Sequence, residues 1–271
     1  MPYNYLPKSN NETIKITILG CGASAGVPRP NLDWGDCDST EPKNRRRRAS
    51  ILIEQYDSTI VVDTGADFCH QMIDAKVTKL DAVIYTHMHA DHTNGIDDLR
   101  SYFLNQNKRI PVYSDQNTLS YLQQTFAYCF KTPSGSNYPP ILEANEIMAG
   151  TKFSIQGKGG DIEILPILQQ HGNINSLGLR IGDVAYCTDV SAINNEIISN
   201  LQNLKYLIIG ALQYKPHISH LSVSQVLDFI AEVKPEKAYF THMHNKLDYN
   251  KLKDSLPNNI EPAYDGLTLF V

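Results

Sequence analysis

Cysteine pairs are missing from this sequence. Its five cysteines, Cys21, Cys37, Cys69, Cys129 and Cys187, are odd in number, widely spaced and never arranged as CxxC. That argues against both a disulfide framework and a cysteine-built zinc site. No apolar window nears the roughly 20 residues that a membrane span needs. The opening MPYNYLPKSNNETIK is polar, with no apolar stretch leading to a small-residue cleavage site, so a cytoplasmic protein is expected, working away from the membrane. An excess of positive charge is lacking too, since 24 Lys+Arg against 29 Asp+Glu leave a net charge of -5. General attraction for nucleic acid or anionic lipid is thereby excluded, and an anionic substrate must be drawn by local charge. There is neither an internal repeat nor a low-complexity tract, and tryptophan occurs once, at Trp34.

What is present is enough for a full-sized core: 271 residues, 42% of them hydrophobic. Short β-rich runs alternate with amphipathic segments, which predicts a single layered α/β domain over 1–271. Strands are expected at 15–19 (KITIL), 49–54, 59–62, 81–89, 110–114, 162–168, 205–210, 237–240 and 267–271. Runs 177–181 and 184–188, joined by Gly182-Asp183, read as a β-hairpin. Helical patterns cover 66–76, 96–105, 117–130, 223–231 and 248–256. GCGASAGVP, residues 20–28, matches neither a Walker loop nor GxGxxG and no helical pattern follows it, so it is expected to be a tight turn near the site. Residues 29–44 read as a surface loop, and 131–140 as a loop overhanging the site.

The chemistry concentrates in Thr86-His87-Met88-His89-Ala90-Asp91-His92-Thr93-Asn94-Gly95. If 81–89 is a strand, its period of two sends His87 and His89 to one side, and Asp91 and His92 follow as the chain turns. A lone histidine is more often a cap or hydrogen-bonding group. Four ligand-type side chains within six residues point instead to a borderline divalent metal. Other strand ends carry His171, Asp189 and His242. Taken singly, His171 is weak evidence and Asp189 more often a helix cap. Asp63, also at a strand end, is either a turn former or a partner for a ligand histidine. Arginines 45–48 run into a strand, so two should face each side. They are either a solvated surface or, with Arg46 and Arg48 as the inward pair, a hold on phosphate.

With ligand-type residues at four strand ends, the sequence resembles the metallo-β-lactamase superfamily over nearly its whole length. The resemblance implies an αββα sandwich, two mixed β-sheets flanked by helices. It also implies one metal held by His87, His89 and His171, a second by Asp91, His92 and His242, and Asp189 bridging them. The glycine-rich start with GVP, NRRRRAS, Ser219-His220 before a helix, THMH with LDY, and AYDG at 263–266 resemble the PhnP-type cyclic phosphodiesterases. The tRNA 3′-processing endonucleases are more distant. PhnP-type enzymes carry a further structural zinc on a cysteine cluster and a histidine. Here only Cys37 and Asn245 stand in those regions, so that zinc is expected to be absent.

Such a ligand set has its own chemical logic. Two divalent ions sharing one carboxylate, zinc, manganese or iron, sit about 3.5–4 Å apart and lower the pKa of a bridging water, making hydroxide the expected nucleophile. The expected substrate is a phosphodiester, a small cyclic phosphate or a nucleotide-type ester, with RNA among the candidate partners and a homodimer the expected assembly. His220 is the expected proton donor and phosphate-binding residue, since it matches the SH position, with His217 and His244 as competitors. His244 shares the parity of His242 and is expected to reach the substrate as well. An acyl hydrolase, cleaving a thioester or lactone on the same centre, is the alternative. A metal-binding module without catalysis is disfavoured because structural sites are usually closed and mononuclear.

Overall fold

The computed structural model describes residues 13–157 and 159–271, so the reading of the polar opening segment 1–12 lies outside the described residues. The first half of the chain provides β1 (Lys15–Gly20), β2 (Ser50–Gln55), β3 (Ser58–Val62), β4 (Ala82–Ile84), β5 (Ile110–Ser114) and β6 (Leu142–Glu146). The second provides β7 (Phe153–Ile155), β8 (Ile162–His171), β9 (Ile174–Ile181), β10 (Val184–Cys187), β11 (Tyr206–Gly210), β12 (Lys237–Thr241) and β13 (Ile260–Pro262), and β14 (Thr268–Phe270) returns to pair with β1. The strands make two mixed seven-stranded sheets, ordered β14-β1-β2-β3-β4-β5-β6 and β13-β12-β11-β10-β9-β8-β7. Each sheet has three antiparallel and three parallel pairings, each kind forming one half of the sheet.

Strand period two explains the layering. Ile51, Ile53, Ile60, Val62, Ala82 and Ile84 enter a core shared with Ile164, Leu179 and Ile208 of the second sheet. Their alternates Leu52, Val61 and Val83 face a second core with Phe68, Leu99 and Leu119. Helices α1 (Phe68–Asp74), α2 (Ala90–Thr93), α3 (Leu99–Gln106), α4 (Gln116–Thr125) and α5 (Ala127–Phe130) belong to the first half, and α6 (Asn195–Asn200), α7 (Val223–Val233) and α8 (Tyr249–Ser255) to the second. In α7 a capping box of Ser222 and Gln225 starts the helix, and Val223, Val226, Phe229, Ile230 and Val233 form its buried stripe. Among the described residues no helix is long and apolar enough to cross a membrane.

Most expected elements are present, with instructive shifts. The strand expected at 81–89 ends at Ile84, because beyond it the Thr86 N–H turns to the Asp63 carboxylate and the Thr86 carbonyl accepts from Leu177. The helix expected over 117–130 breaks at Phe126. Strands β6, β7 and β13 and helix α6 were not anticipated; the three strands are edge pieces of three to five residues and the helix has six, too short to establish a period.

Asp265 ties the glycine-rich turn to the arginine segment, its Oδ1 accepting from Cys21 N (3.1 Å) and its Oδ2 from Arg47 N (2.8 Å). Burial pushes its carboxyl up to about 7. Between the ordinary aspartate range and that value the folded chain keeps a proton that the unfolded chain has released, so this contribution to stability falls as pH rises through that window. Melting temperatures of wild type and Asp265→Asn between pH 4.5 and 8 check this. Wild type should lose stability relative to the variant as pH rises, and a constant difference would refute the linkage.

Candidate metal centre

The ligand-type side chains sit beyond the C-terminal ends of strands from both sheets. Asp63 follows β3, His87 and His89 follow β4, His171 ends β8, Asp189 follows β10 and His242 follows β12. His89 is the N-cap of α2, whose first turn carries Asp91 and whose last carries His92. Close backbone packing holds this turn. Gly95 N donates to Thr64 O, Thr64 N donates to His92 O, and a Cβ on Gly65 would stand 2.1 Å from the Asp91 carbonyl. No residue but glycine allows that approach. Asp63 and His242 both adopt positive φ, 65° and 53°, sparsely populated conformations for residues with side chains.

Two groups of potential metal ligands result, sharing Asp189. In the first, His89 Nδ1 lies 3.0 Å from His87 Nε2 and 3.1 Å from His171 Nε2. Asp189 Oδ2 is 3.7 Å from His87 Nε2 and 3.4 Å from His171 Nε2. In the second, Asp189 Oδ1 is 3.3 Å from both His92 Nε2 and His242 Nε2, and Asp91 Oδ2 is 3.4 Å from the same two atoms. Donors around a tetrahedral zinc at its usual bond lengths stand roughly 3.3 Å apart, so both groups have the span a small divalent ion requires.

Hydrogen bonds behind the ligands set which nitrogen faces inwards. Asp63 Oδ2 accepts from His92 Nδ1 at 2.7 Å, and Asp63 also accepts from Thr86 N and Thr86 Oγ1, both at 2.8 Å. His171 Nδ1 donates to the Ser219 carbonyl at 2.7 Å. Both rings therefore present Nε2 to the cluster. His92 Nε2 is buried and has no hydrogen-bond partner among the described residues, as befits a ligand awaiting a cation. Burial alone would raise the Asp189 carboxyl, yet His242, His92 and His87 hold it well below the usual carboxylate range. Burial and then the charge of His92 push His87 well below the usual imidazole range. An ionised carboxylate set among imidazoles is a donor set that zinc, manganese and iron accept. Thr86 and Thr241 both precede a ligand histidine, but they differ: Thr86 grips Asp63, whereas the buried Thr241 hydroxyl has no partner among the described residues.

A ladder of imidazoles leads outwards. The rings of His242 and His220 stack with centroids 4.8 Å apart, His220 also meets His171 at 4.7 Å, and His217 lies 5.4 Å beyond His220. His220 Nδ1 stands 4.0 Å from Asp189 Oδ2. Burial and the neighbouring His242 push His220 down to about 3. A pocket of about 230 Å³ opens beside it, lined by the 23–26 turn, Arg29, Gln213, His217 and His244. The glycine-rich segment is thus the expected tight turn at the site, while loop 131–140 contributes nothing to this pocket.

The arginine run requires a correction. Arg46 and Arg48 do not line this pocket; with Arg45 and Arg47 they line a separate one of about 560 Å³ that shares Ala25 and Gly26 with it. Arg46 is buried, bonding the Asn44 side chain at 3.2 Å and the His244 carbonyl at 3.4 Å. Arg48 pairs with Asp67 at 3.0 Å and donates to the Ser24 carbonyl. Arg45 covers the Trp34 ring and Arg47 pairs with Asp74. The cation at the pocket is Arg29, which sequence reasoning missed. It stands in the loop after GVP, and its proximity to His244 arises only from the fold. Cys37 Sγ donates to the backbone carbonyls of Asn245 and Leu247 and belongs to neither ligand group found among the described residues.

Asp63→Asn, which suits the positive φ and keeps an acceptor for Thr86 N, should weaken metal retention roughly 10- to 100-fold by loosening the His92 ring. Chelator competition followed by elemental analysis measures this, and unchanged retention would rule out Asp63 as the group that orients His92.

Comparison with known proteins agrees with this geometry. The beta-lactamase superfamily domain model matches residues 58–243. A crystal structure of a diphosphatase from the PhnP family superposes with a TM-score of 0.86 at 31% identity, covering 96% of this chain and 97% of that one. An octanoyltransferase of Porphyromonas gingivalis is 31% identical over 263 residues, 95% of this chain and 52% of its own length. Ribonuclease Z of Staphylococcus epidermidis is 28% identical over 177 residues, 62% of this chain and 49% of the relative. The chain thus spans about half the length of the curated relatives it matches. With the HxHxDH cluster, the paired mixed sheets and these similarities together, the chain belongs to the metallo-β-lactamase superfamily of hydrolases, in its PhnP-type branch.

Proposed function

We propose that this chain is a dinuclear-metal-dependent phosphodiesterase acting on a small cyclic or nucleotide-type phosphate ester. The observation that carries this reading is the arrangement of Asp189, one oxygen facing each ligand group, directly beside a pocket with Arg29 at its wall. His87, His89, His171 and Asp189 would hold one ion and Asp91, His92, His242 and Asp189 the other. When bound, the ions would supply an activated water and positive charge against the phosphoryl oxygens.

The chain's own residues do the rest. Asp63 and the Ser219 carbonyl keep His92 and His171 turned inwards. His220 is neutral at pH 7 in the free protein and offers an N–H to a phosphoryl oxygen. An anionic group beside it opposes the effect of burial and favours imidazolium, which is the form able to protonate a departing alkoxide. His244, the competing donor in the sequence reading, lines the same pocket, but its Nε2 accepts from the Arg29 guanidinium.

A second reading, hydrolysis of a thioester or lactone, draws on the octanoyltransferase similarity. That protein is nearly twice as long as the match, so its named activity can belong to the part outside it. The cationic pocket favours phosphate over a neutral acyl group.

Purified protein should contain close to two transition-metal equivalents per chain, and His87→Ala and Asp189→Ala should each abolish hydrolysis. Full activity in either would remove the ligand assignment. A panel of cyclic and linear phosphodiesters, lactones and thioesters separates the two readings. His220→Ala should lose about 10²–10⁴-fold with an alkoxide leaving group and much less with nitrophenolate. Equal losses would leave His220 as a phosphate-binding residue only.

A further inference from the structure

Lys43 and the four arginines at 45–48 gather at one cavity away from the metal centre. It holds about 560 Å³, shares only Ala25 and Gly26 with the centre's pocket, and is lined by no member of either ligand group. Two of these cations are spent on carboxylates at the same cavity, Arg47 on Asp74 at 2.7 Å and Arg48 on Asp67 at 3.0 Å. A third carboxylate, Asp265, accepts from Cys21 N and Arg47 N.

The other three cations, Lys43, Arg45 and Arg46, form no ion pair among the described residues. Lys43 Nζ lies 4.5 Å from the centres of both the Tyr249 and Tyr264 rings, and Arg45 covers the Trp34 ring at 4.9 Å. An aromatic face attracts a cation without neutralising it. Arg46 is the decisive case. It is 2% exposed, its guanidinium reaches the Asn44 side chain and the His244 carbonyl, and its Nε has no partner among the described residues. A buried charge is costly unless an opposite charge compensates it, and here the wall that Arg46 lines is the wall of the cavity. In a chain of net charge -5, this is a local excess of positive charge in a cleft, which focuses the field on an anion.

The volume separates ligand classes, because sites for drug-sized ligands span roughly 300–1,000 Å³. A single small anion would fill little of this cavity and would answer only part of its charge.

We propose that this cavity is a second binding site, separate from the metal centre, for an anion carrying several linked phosphates. Guanidinium groups bind two phosphate oxygens at once, and Lys43 adds a point charge. The recognised chemistry is the polyphosphate chain, either free or carried on a nucleoside. A bound anion would lie against the turn that walls the centre's pocket: Arg46 exchanges main-chain hydrogen bonds with Val27 at 2.8 and 2.9 Å, and Arg48 Nε donates to Ser24 O at 3.2 Å. The site stands independently of what the centre hydrolyses.

Titration calorimetry of the full chain with tripolyphosphate and with ATP, both presaturated with magnesium so that neither strips the centre, tests this. Inorganic phosphate is the third probe. Wild type should bind tripolyphosphate, with Arg45→Ser and Lys43→Ser each weakening it roughly 3- to 10-fold and the pair roughly 10- to 100-fold. Arg45→Lys should keep most of the affinity, which a misfolded variant would not. His220→Ala, altered only at the centre's pocket, should bind as wild type does. No binding to wild type, equal affinities in the Lys43 and Arg45 variants, or a matching loss in His220→Ala overturns the site. Inorganic phosphate binding as tightly as tripolyphosphate overturns the polyphosphate class. With the site upheld, ATP binding more tightly than tripolyphosphate identifies a nucleotide as the ligand, and equal affinities identify the free chain as sufficient.

Discussion

One carboxylate, Asp189, 2% exposed and placed between imidazoles on either side, sets the terms for the centre. A buried charge of this kind is tolerated only against a compensating charge. Asp91 and Asp63 add further negative potential within hydrogen-bonding reach of His92. Burial would lower the His92 pKa, yet Asp189, Asp91 and Asp63 together raise it well above the usual range. The three carboxylates that would attract a cation therefore hold a proton on His92 in the free protein. A metal held by His92 would have to displace that proton, which would couple loading of the site to pH.

Delivering this charge pattern falls to the two sheets, neither of which is sufficient alone. β3 and β4 bring Asp63 and the HxHxDH segment from one sheet, and β8, β10 and β12 bring His171, Asp189 and His242 from the other. The shared core between them sets the distance across which Asp189 meets both ligand groups. Cross-sheet main-chain bonds tighten the rim: Leu177 N donates to Thr86 O, Ala23 N to Met243 O and Met243 N to Cys21 O. The strained backbone at Asp63 and His242 is held by this frame and turns their side chains inwards.

Much of this was legible in the sequence because it is local. The HxHxDH spacing, the strand ends at Asp63, Asp189 and His242, the Gly182-Asp183 hairpin and the α7 stripe all arise from neighbours within a few residues, where strand and helix periods operate. Asp63 as the partner of a ligand histidine was likewise readable from its position after a strand. What escaped was non-local. Arg29 and His244 are 215 positions apart and meet only because the 29–33 loop folds over the end of β12. Short edge strands such as β13 derive their conformation from the neighbour they pair with, not from a pattern of their own.

The misreading of the arginine run has the same origin and a further physical cause. Period two correctly separates exposed Arg45 from buried Arg46, but parity says nothing about what the buried side chain meets. Arg46 enters a polar interior in which Asn44 donates to Asp248 at 2.6 Å and Tyr249 N donates to Asn44 at 2.8 Å. Cys37 and Asn245, the positions where the PhnP-type resemblance would place a structural zinc, border the same region. Here hydrogen bonds among Arg46, Asn44, Asp248 and the backbone join the 37–46 segment to the 244–249 segment. Arg46 is placed by this interior, through Asn44 Oδ1 and the His244 carbonyl, and its Nε is buried there without a partner among the described residues. Arg29 lies outside that interior, half-exposed and held by a histidine in place of a close carboxylate, and keeps its charge available at the metal centre's pocket.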